Sequence, residues 1–178
     1  MHFTPTRIAG VTIVELEPRH DARGSFARTF CAEEFAAAGI PFEVVQVNLS
    51  SNRARHTLRG LHYQRDPFGE PKIVACLRGR IFDVAVDVRP DSPTYLQWEA
   101  VELSFDGGRM FCLSEGIAHG FLTLEPDSEV QYLMGAAYRP GAAAGLRWND
   151  PALTIAWPAE PAVISERDRN YPLLQAEG

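Results

Sequence analysis

The feature that most constrains this chain is its rhythm: short runs of β-branched, aromatic and alternating residues, cut at close intervals by turn formers. Residues 8–16, 43–50, 72–77, 80–88, 96–104, 109–113, 117–124 and 129–135 suit a pleated, half-buried surface and are read as strands. Arg78-Gly79, Arg89-Pro90-Asp91-Ser92-Pro93, Asp106-Gly107-Gly108 and Glu125-Pro126-Asp127 separate them as turns. Only Glu33 to Ala38 reads as helical in the first half, and Gly39 behind it suits a left-handed C-cap. A second short helix is expected near Ser165–Asp168, with Ser165 as its N-cap. Many closely spaced strands with two short helices predict an all-β antiparallel sandwich or barrel. No fixed-period repeat or linker interrupts the pattern, so residues 1–178 are expected to form one domain, with Gln175–Gly178 frayed at its end.

Charge narrows the partners. The 17 basic and 23 acidic residues leave a net charge of −6, which argues against nucleic acid as a general partner because phosphate backbones need a basic face. An anionic ligand would need its own local arginines. No run approaches the roughly 20 apolar residues that cross a bilayer, so no membrane partner is expected. His2, Arg7, Glu15 and Glu17 interrupt any leader-like hydrophobic stretch. Cys31, Cys76 and Cys112 are odd in number, without CxxC spacing, and read as reduced thiols of a cytoplasmic protein.

Three segments hold chemistry-bearing side chains. In Thr57-Leu58-Arg59-Gly60-Leu61-His62-Tyr63-Gln64, residues three apart face opposite sides of a regular strand. Arg59 and His62 share a face only if the pleat breaks, and Gly60 between them is where a bulge would form. His119 precedes a glycine in Gly116-Ile117-Ala118-His119-Gly120-Phe121, and alone reads as structural. Tyr132 shares its parity with Val130 and Met134, so it is expected to face inward. Lys72 opens a strand on the face of Val74 and Cys76, a place where lysines are usually solvated. Asp83 and Asp87 alternate with Phe82, Val84 and Val86, and a solvated strand face accounts for them. His62, His119 and Glu70 could supply metal ligands, but no HxH pair exists, since Gln64 stands two beyond His62, and no metal is expected.

Taken in order, DARGSFARTF (21–30), QVNLSSN (46–52), TLRGLHYQ (57–64), EPKIVACLRGRIFDVAVDVR (70–89), SPTY (92–95), GIAHGF (116–121), EVQYL (129–133), RWNDP (147–151) and SERD (165–168) resemble the family of nucleotide 4-keto-6-deoxysugar epimerases typified by dTDP-4-dehydrorhamnose 3,5-epimerase. The resemblance implies a cupin-type jelly roll, a homodimer, a nucleoside-diphosphate sugar as substrate, and neither metal nor organic cofactor. It puts the base on His62, its orienting carboxylate on Asp168, the proton donor on Tyr132 and the lysine near the sugar ketone on Lys72. Arg23 and Arg59 match phosphate-holding arginines. Gln46 and Asn48 match polar lining residues, His119 a substrate-contacting histidine, and Tyr138 an aromatic near the base. Three positions depart from the family: Arg28 stands where many members carry glutamate, Leu133 where many carry lysine, and the loop Gly141–Gly145 lacks charge. They bear on the base, the sugar and which carbons are inverted, and Arg28 is taken as a candidate specificity residue.

Elementary chemistry agrees with that set. A ketone at C4 acidifies the protons on C3 and C5, and imidazole is a suitable base near neutral pH. The enolate oxygen needs positive charge nearby. Inversion needs a second acid across the ring from the base. A metal-dependent cupin enzyme and a non-catalytic sugar-nucleotide-binding module stand as alternatives.

Overall fold

The computed structural model describes residues 1–174; Gln175–Gly178, expected to fray, lie outside the described residues. Along the chain come β1 (His2–Pro5), β2 (Val11–Glu15), β3 (Arg19–Asp21), β4 (Gly24–Phe26), α1 (Ala32–Ala37), β5 (Gln46–Asn52), β6 (Thr57–Gln64) and β7 (Lys72–Arg78). They are followed by β8 (Arg80–Asp87), β9 (Trp98–Ser104), β10 (Arg109–Leu113), β11 (Ile117–Thr123), β12 (Ser128–Met134), β13 (Ala143–Gly145), β14 (Val163–Ile164) and α2 (Glu166–Arg169).

The strands form two packed sheets, in the orders β1-β2-β10-β7-β12-β5 and β13-β6-β11-β8-β9, with β14 alongside β6 and β3–β4 as a separate hairpin. The pairing is nested: β8 with β9, β7 with β10, β6 with β11, β5 with β12, all antiparallel. Eight consecutive strands are thus one long hairpin rolled over itself, which is a jelly roll. The all-β expectation holds.

Between the sheets lies an apolar core. Val74, Cys76, Phe111 and Val130 from the first sheet meet Ile81, Ala85, Leu103 and Phe121 from the second. Both outer faces are covered too. The segment around α1 caps the first sheet with Phe35 and Phe42 over Ile73, Ala75 and Met110. The chain after β13 caps the second, placing Leu146, Leu153 and Trp157 over Leu61, Val84 and Val86. Fully burying a side chain of this size is worth about 1.5–3 kcal/mol, and two covered faces explain why β7 and β8 are near-continuous apolar runs. They also correct the solvated readings of Lys72, Asp83 and Asp87, which are all buried.

Asp87 is held by Arg89, Ser92 and Thr94, which staple the loop that follows β8. Burial pushes its carboxyl up, but those hydrogen bonds outweigh the burial and hold it well below the carboxylate range. Helix α1 ends before Gly39, whose φ of +77° is the left-handed turn expected there. In α2 the Ser165 hydroxyl accepts the Asp168 amide at 3.1 Å, as an N-cap does.

Candidate active site

The site begins with a register shift. On β11, His119 pairs with His62 and Phe121 with Arg59, so Gly60 and Leu61 of β6 together oppose Gly120 alone. This is the bulge expected at Gly60, and it turns Arg59 and His62 into one cleft. The two glycines permit it: Gly60 has a φ of +135°, and a Cβ there would run into the Gly120 backbone.

The cleft has a volume of about 660 Å³ and opens between the sheets at one end of the roll. His62 is partly exposed in its wall, and its Nε2 lies 2.7 Å from Asp168 Oδ1. The other carboxylate oxygen of Asp168 accepts the Gly60 amide at 3.3 Å. Burial raises the Asp168 carboxyl, but the His62 ring, the Gly60 amide and the Ser165 hydroxyl together bring it below its ordinary value. The carboxylate is therefore fixed and charged, and it fixes one ring nitrogen of His62. Nδ1 is left for the cleft.

Beside this pair stands another. His119 Nε2 lies 2.7 Å from Asp83 Oδ1, with side chains 5% and 0% exposed. Asp83 Oδ2 is buried with no hydrogen-bond partner among the described residues. Burial drives the Asp83 carboxyl up, against the pull of His119 and Lys72. Its alternation with Phe82 and Val84 signals one inward face, but not that both faces are covered.

The first sheet supplies the opposite wall. Tyr132 on β12 faces inward as expected, with its ring edge-on to His119 at 5.8 Å. Burial, then the Asp83 charge, push its phenol far above the usual value against the pull of Arg59, so it keeps its proton. Lys72 on β7 is buried, with Nζ 2.8 Å from Glu70. Glu70, weighed as a metal ligand, is thus the lysine's partner. Among the described residues no group of three or more His, Cys, Asp or Glu is placed to hold a metal ion.

Gln46, Asn48, Arg59, His119 and Tyr138 also line the cleft. Gln46 donates to Asn48 at 2.9 Å, and Arg59 to Asn52 at 2.8 Å. Tyr138 stands half-exposed at the mouth. Gln64, grouped in the sequence with Arg59 and His62 but given no place in the site, lines it as well, as does Arg167, which sequence reasoning missed. Arg167 donates to the Tyr171 hydroxyl at 2.8 Å; its position one before Asp168 in the SERD segment was the available signal.

Arg23 and Arg28 are not brought to this cleft. Arg23 sits in the β3–β4 hairpin, its side chain 89% exposed and paired with Asp21 at 2.6 Å. Arg28 pairs with Glu34 at 2.6 Å, which also binds the amino terminus.

Comparison with known proteins gives a consistent result. The family model described as dTDP-4-dehydrorhamnose 3,5-epimerase matches residues 5–176. A dTDP-4-dehydrorhamnose 3,5-epimerase from Methanothermobacter thermautotrophicus is 43% identical over 97% of this chain and 94% of its own. A dTDP-4-dehydrorhamnose 3-epimerase from Streptomyces niveus is 39% identical over 98% of this chain and 84% of its own. The crystal structure of a dTDP-4-dehydrorhamnose 3,5-epimerase from Bacillus anthracis, with TDP and PPi bound, superimposes with a TM-score of 0.94 at 35% identity, covering 97% and 99% of the two chains.

Proposed function

The chain belongs to the dTDP-4-dehydrorhamnose 3,5-epimerase family and is an isomerase; from that premise we propose that it inverts C3 and C5 of dTDP-4-dehydro-6-deoxyglucose, giving dTDP-4-dehydrorhamnose. The observation that carries this reading is the placement of His62, braced by Asp168 of α2, on one sheet and Tyr132 on the sheet facing it. A sugar ring lying between the sheets has a base on one face and an acid on the other.

In this mechanism Asp168 accepts a hydrogen bond from His62 Nε2–H, which leaves the Nδ1 lone pair free. Nδ1 takes the proton from C3, and the C–H electron pair moves onto the C4 oxygen. Lys72 and His119 stabilise that enolate oxygen. As the carbonyl re-forms, Tyr132 delivers its proton to C3 from the opposite face; His62 then loses its proton to solvent and Tyr132 regains one. The same cycle at C5 completes the reaction. Arg59 holds phosphate, Gln46 and Asn48 line the sugar, and Tyr138 receives the base.

The rest of the reading is a homodimer of single-domain subunits working in the cytoplasm. Exposed Phe26, Val47 and Leu49 give the β4 and β5 surfaces an apolar character that a second copy would cover. The hairpin then carries Arg23 into the partner's cleft, which reconciles its phosphate role with its distance from its own. No helix among the described residues is long and apolar enough to cross a membrane.

A 3-only epimerase is the second reading, favoured by the 39% identity to the Streptomyces niveus 3-epimerase. Incubation with dTDP-4-dehydro-6-deoxyglucose in D₂O separates the two. Deuterium and inversion at both carbons support the first reading, and at C3 alone the second. Exchange at neither carbon contradicts both.

A further inference from the structure

Gln64 ends β6, two residues beyond His62, and is buried with 3% of its surface exposed. A buried amide is costly unless its hydrogen bonds are made, and here they are all made to main chain. Nε2 donates to the Phe68 carbonyl at 3.0 Å and to the Ala137 carbonyl at 3.3 Å. Oε1 accepts the Arg139 amide at 2.5 Å. Both amide hydrogens are thus spent and the oxygen carries one main-chain bond, so the side chain is committed to the loop rather than turned toward a ligand.

What those bonds grip is specific. Ala137 and Arg139 flank Tyr138, the aromatic residue at the cleft mouth. One side chain therefore clamps the backbone on both sides of Tyr138 and, through Phe68, ties that loop to the next. The Arg139 guanidinium lies 5.9 Å from the centre of the Phe68 ring, a second tie between the same two loops. Tyr138 is 52% exposed, and its side chain has Arg167 as a polar neighbour at the cleft mouth. With so much of the residue exposed, its placement leans on its backbone, which Gln64 holds on both sides.

We infer that Gln64 is a positioning residue for nucleotide recognition: it sets Tyr138 as a rigid platform for the base of the nucleoside diphosphate. This rests on the reading that Tyr138 receives the base. A pre-positioned aromatic face binds a base without first paying to order the loop, so loosening the clamp weakens base binding while leaving the phosphate contacts alone.

The test compares dTDP with inorganic pyrophosphate, which has no base, by calorimetric titration of the purified full chain. Gln64→Met keeps the volume and deletes all three bonds. It should weaken dTDP by about tenfold, the scale of one base–aromatic stack, and leave pyrophosphate within about twofold. In the Tyr138→Ala background, Gln64→Met should cost almost nothing more, because the residue it acts through is gone. Wild-type dTDP affinity in a folded Gln64→Met variant overturns the inference. So do an equal loss for both ligands and full additivity with Tyr138→Ala. If Gln64→Met fails to give a cooperative melt, Gln64→Glu takes its place: it keeps the acceptor for Arg139 and sets a carboxylate against two carbonyls. The same selective loss is expected there, and its absence overturns the inference. If Tyr138→Ala alone binds dTDP like wild type, it is the reading of Tyr138 as base platform that fails, and Gln64 with it.

Discussion

His62 and His119 stand directly opposite each other on the paired strands β6 and β11, yet each ring is bonded to its own carboxylate, Asp168 in one case and Asp83 in the other. The pairs differ in burial. The His62 side chain is 42% exposed, whereas His119 and Asp83 are sealed between the sheets. The first pair is free to exchange a proton with a ligand; in the second only the His119 ring reaches the cleft, and Asp83 behind it is built into the core.

That difference predicts opposite phenotypes. Asp83→Ala breaks a sealed pair and should cost about 3–5 kcal/mol of stability, read by urea unfolding. Asp168→Asn keeps the shape of the site but donates to Nε2 and pushes the imidazole proton to Nδ1. It should leave the urea midpoint nearly unchanged and slow C3 deuterium exchange by at least about 10²-fold, as the wrong tautomer does in other histidine–carboxylate pairs. Wild-type exchange in Asp168→Asn would remove the orienting role.

The β6 bulge is predicted to be intolerant of side chains. Gly60→Ala combines a positive φ with a clash against the Gly120 backbone, and should cost at least about 2–3 kcal/mol together with activity. Gly141, with open space around it and no positive φ, is the control. Gly141→Ala should stay within about 0.5 kcal/mol by thermal denaturation.

Much of this was legible in the chain. β10 falls where its alternation put it, and most other strands shift by one to three residues at their ends, where register and pairing decide the boundary. The bulge was readable because Arg59 and His62 have the wrong spacing to share a face. Asp83 was misjudged because Phe82, Val84 and Val86 lie under the C-terminal segment, which puts Asp83 on the inter-sheet face of Ile81 and Ala85; Lys72, at the start of its strand, turns inward on the face of Val74 and Cys76. β2 starts only at Val11 because Ile8 to Val11 form a turn, the Val11 amide bonding back to the Ile8 carbonyl. β1, β3, β13 and β14 were not seen, whereas Arg23-Gly24 reads as the turn into β4 that is found. The unseen strands are two to four residues long, too short for a periodic signal, and exist through the neighbours they pair with.

Arg23 offers a test of assembly. If it serves the partner's cleft, Arg23→Ala and His62→Ala subunits should each be impaired as homodimers and regain activity when mixed, because one cleft of the mixed dimer is intact. Activity assays on co-expressed, differently tagged subunits report this. No recovery in the isolated mixed dimer would place Arg23 in its own subunit's chemistry or in none.

Asp87 gives a pH prediction. Its folded value lies below the unfolded carboxylate value near 3.9, so the stability it adds is full above that value and is lost as the pH falls through the folded one. Asp87→Asn should therefore cost about 2–3 kcal/mol at pH 7, the scale of hydrogen bonds to a buried charge. That cost should shrink steadily below pH 4. An equal cost at pH 7 and pH 3 by urea unfolding would mean the charge contributes nothing.

The central claim is that deprotonation and reprotonation belong to residues on opposite sheets, and Tyr132→Phe in D₂O tests it most directly. The variant keeps the ring and its packing and loses only the hydroxyl. With His62 still forming the enolate, C3 should take up deuterium with its configuration retained, while inversion falls by about 10²–10⁴-fold, the span of one general acid. Proton NMR of the recovered sugar reads both at once. Inversion at the wild-type rate, or equal loss of exchange and inversion, would contradict the account.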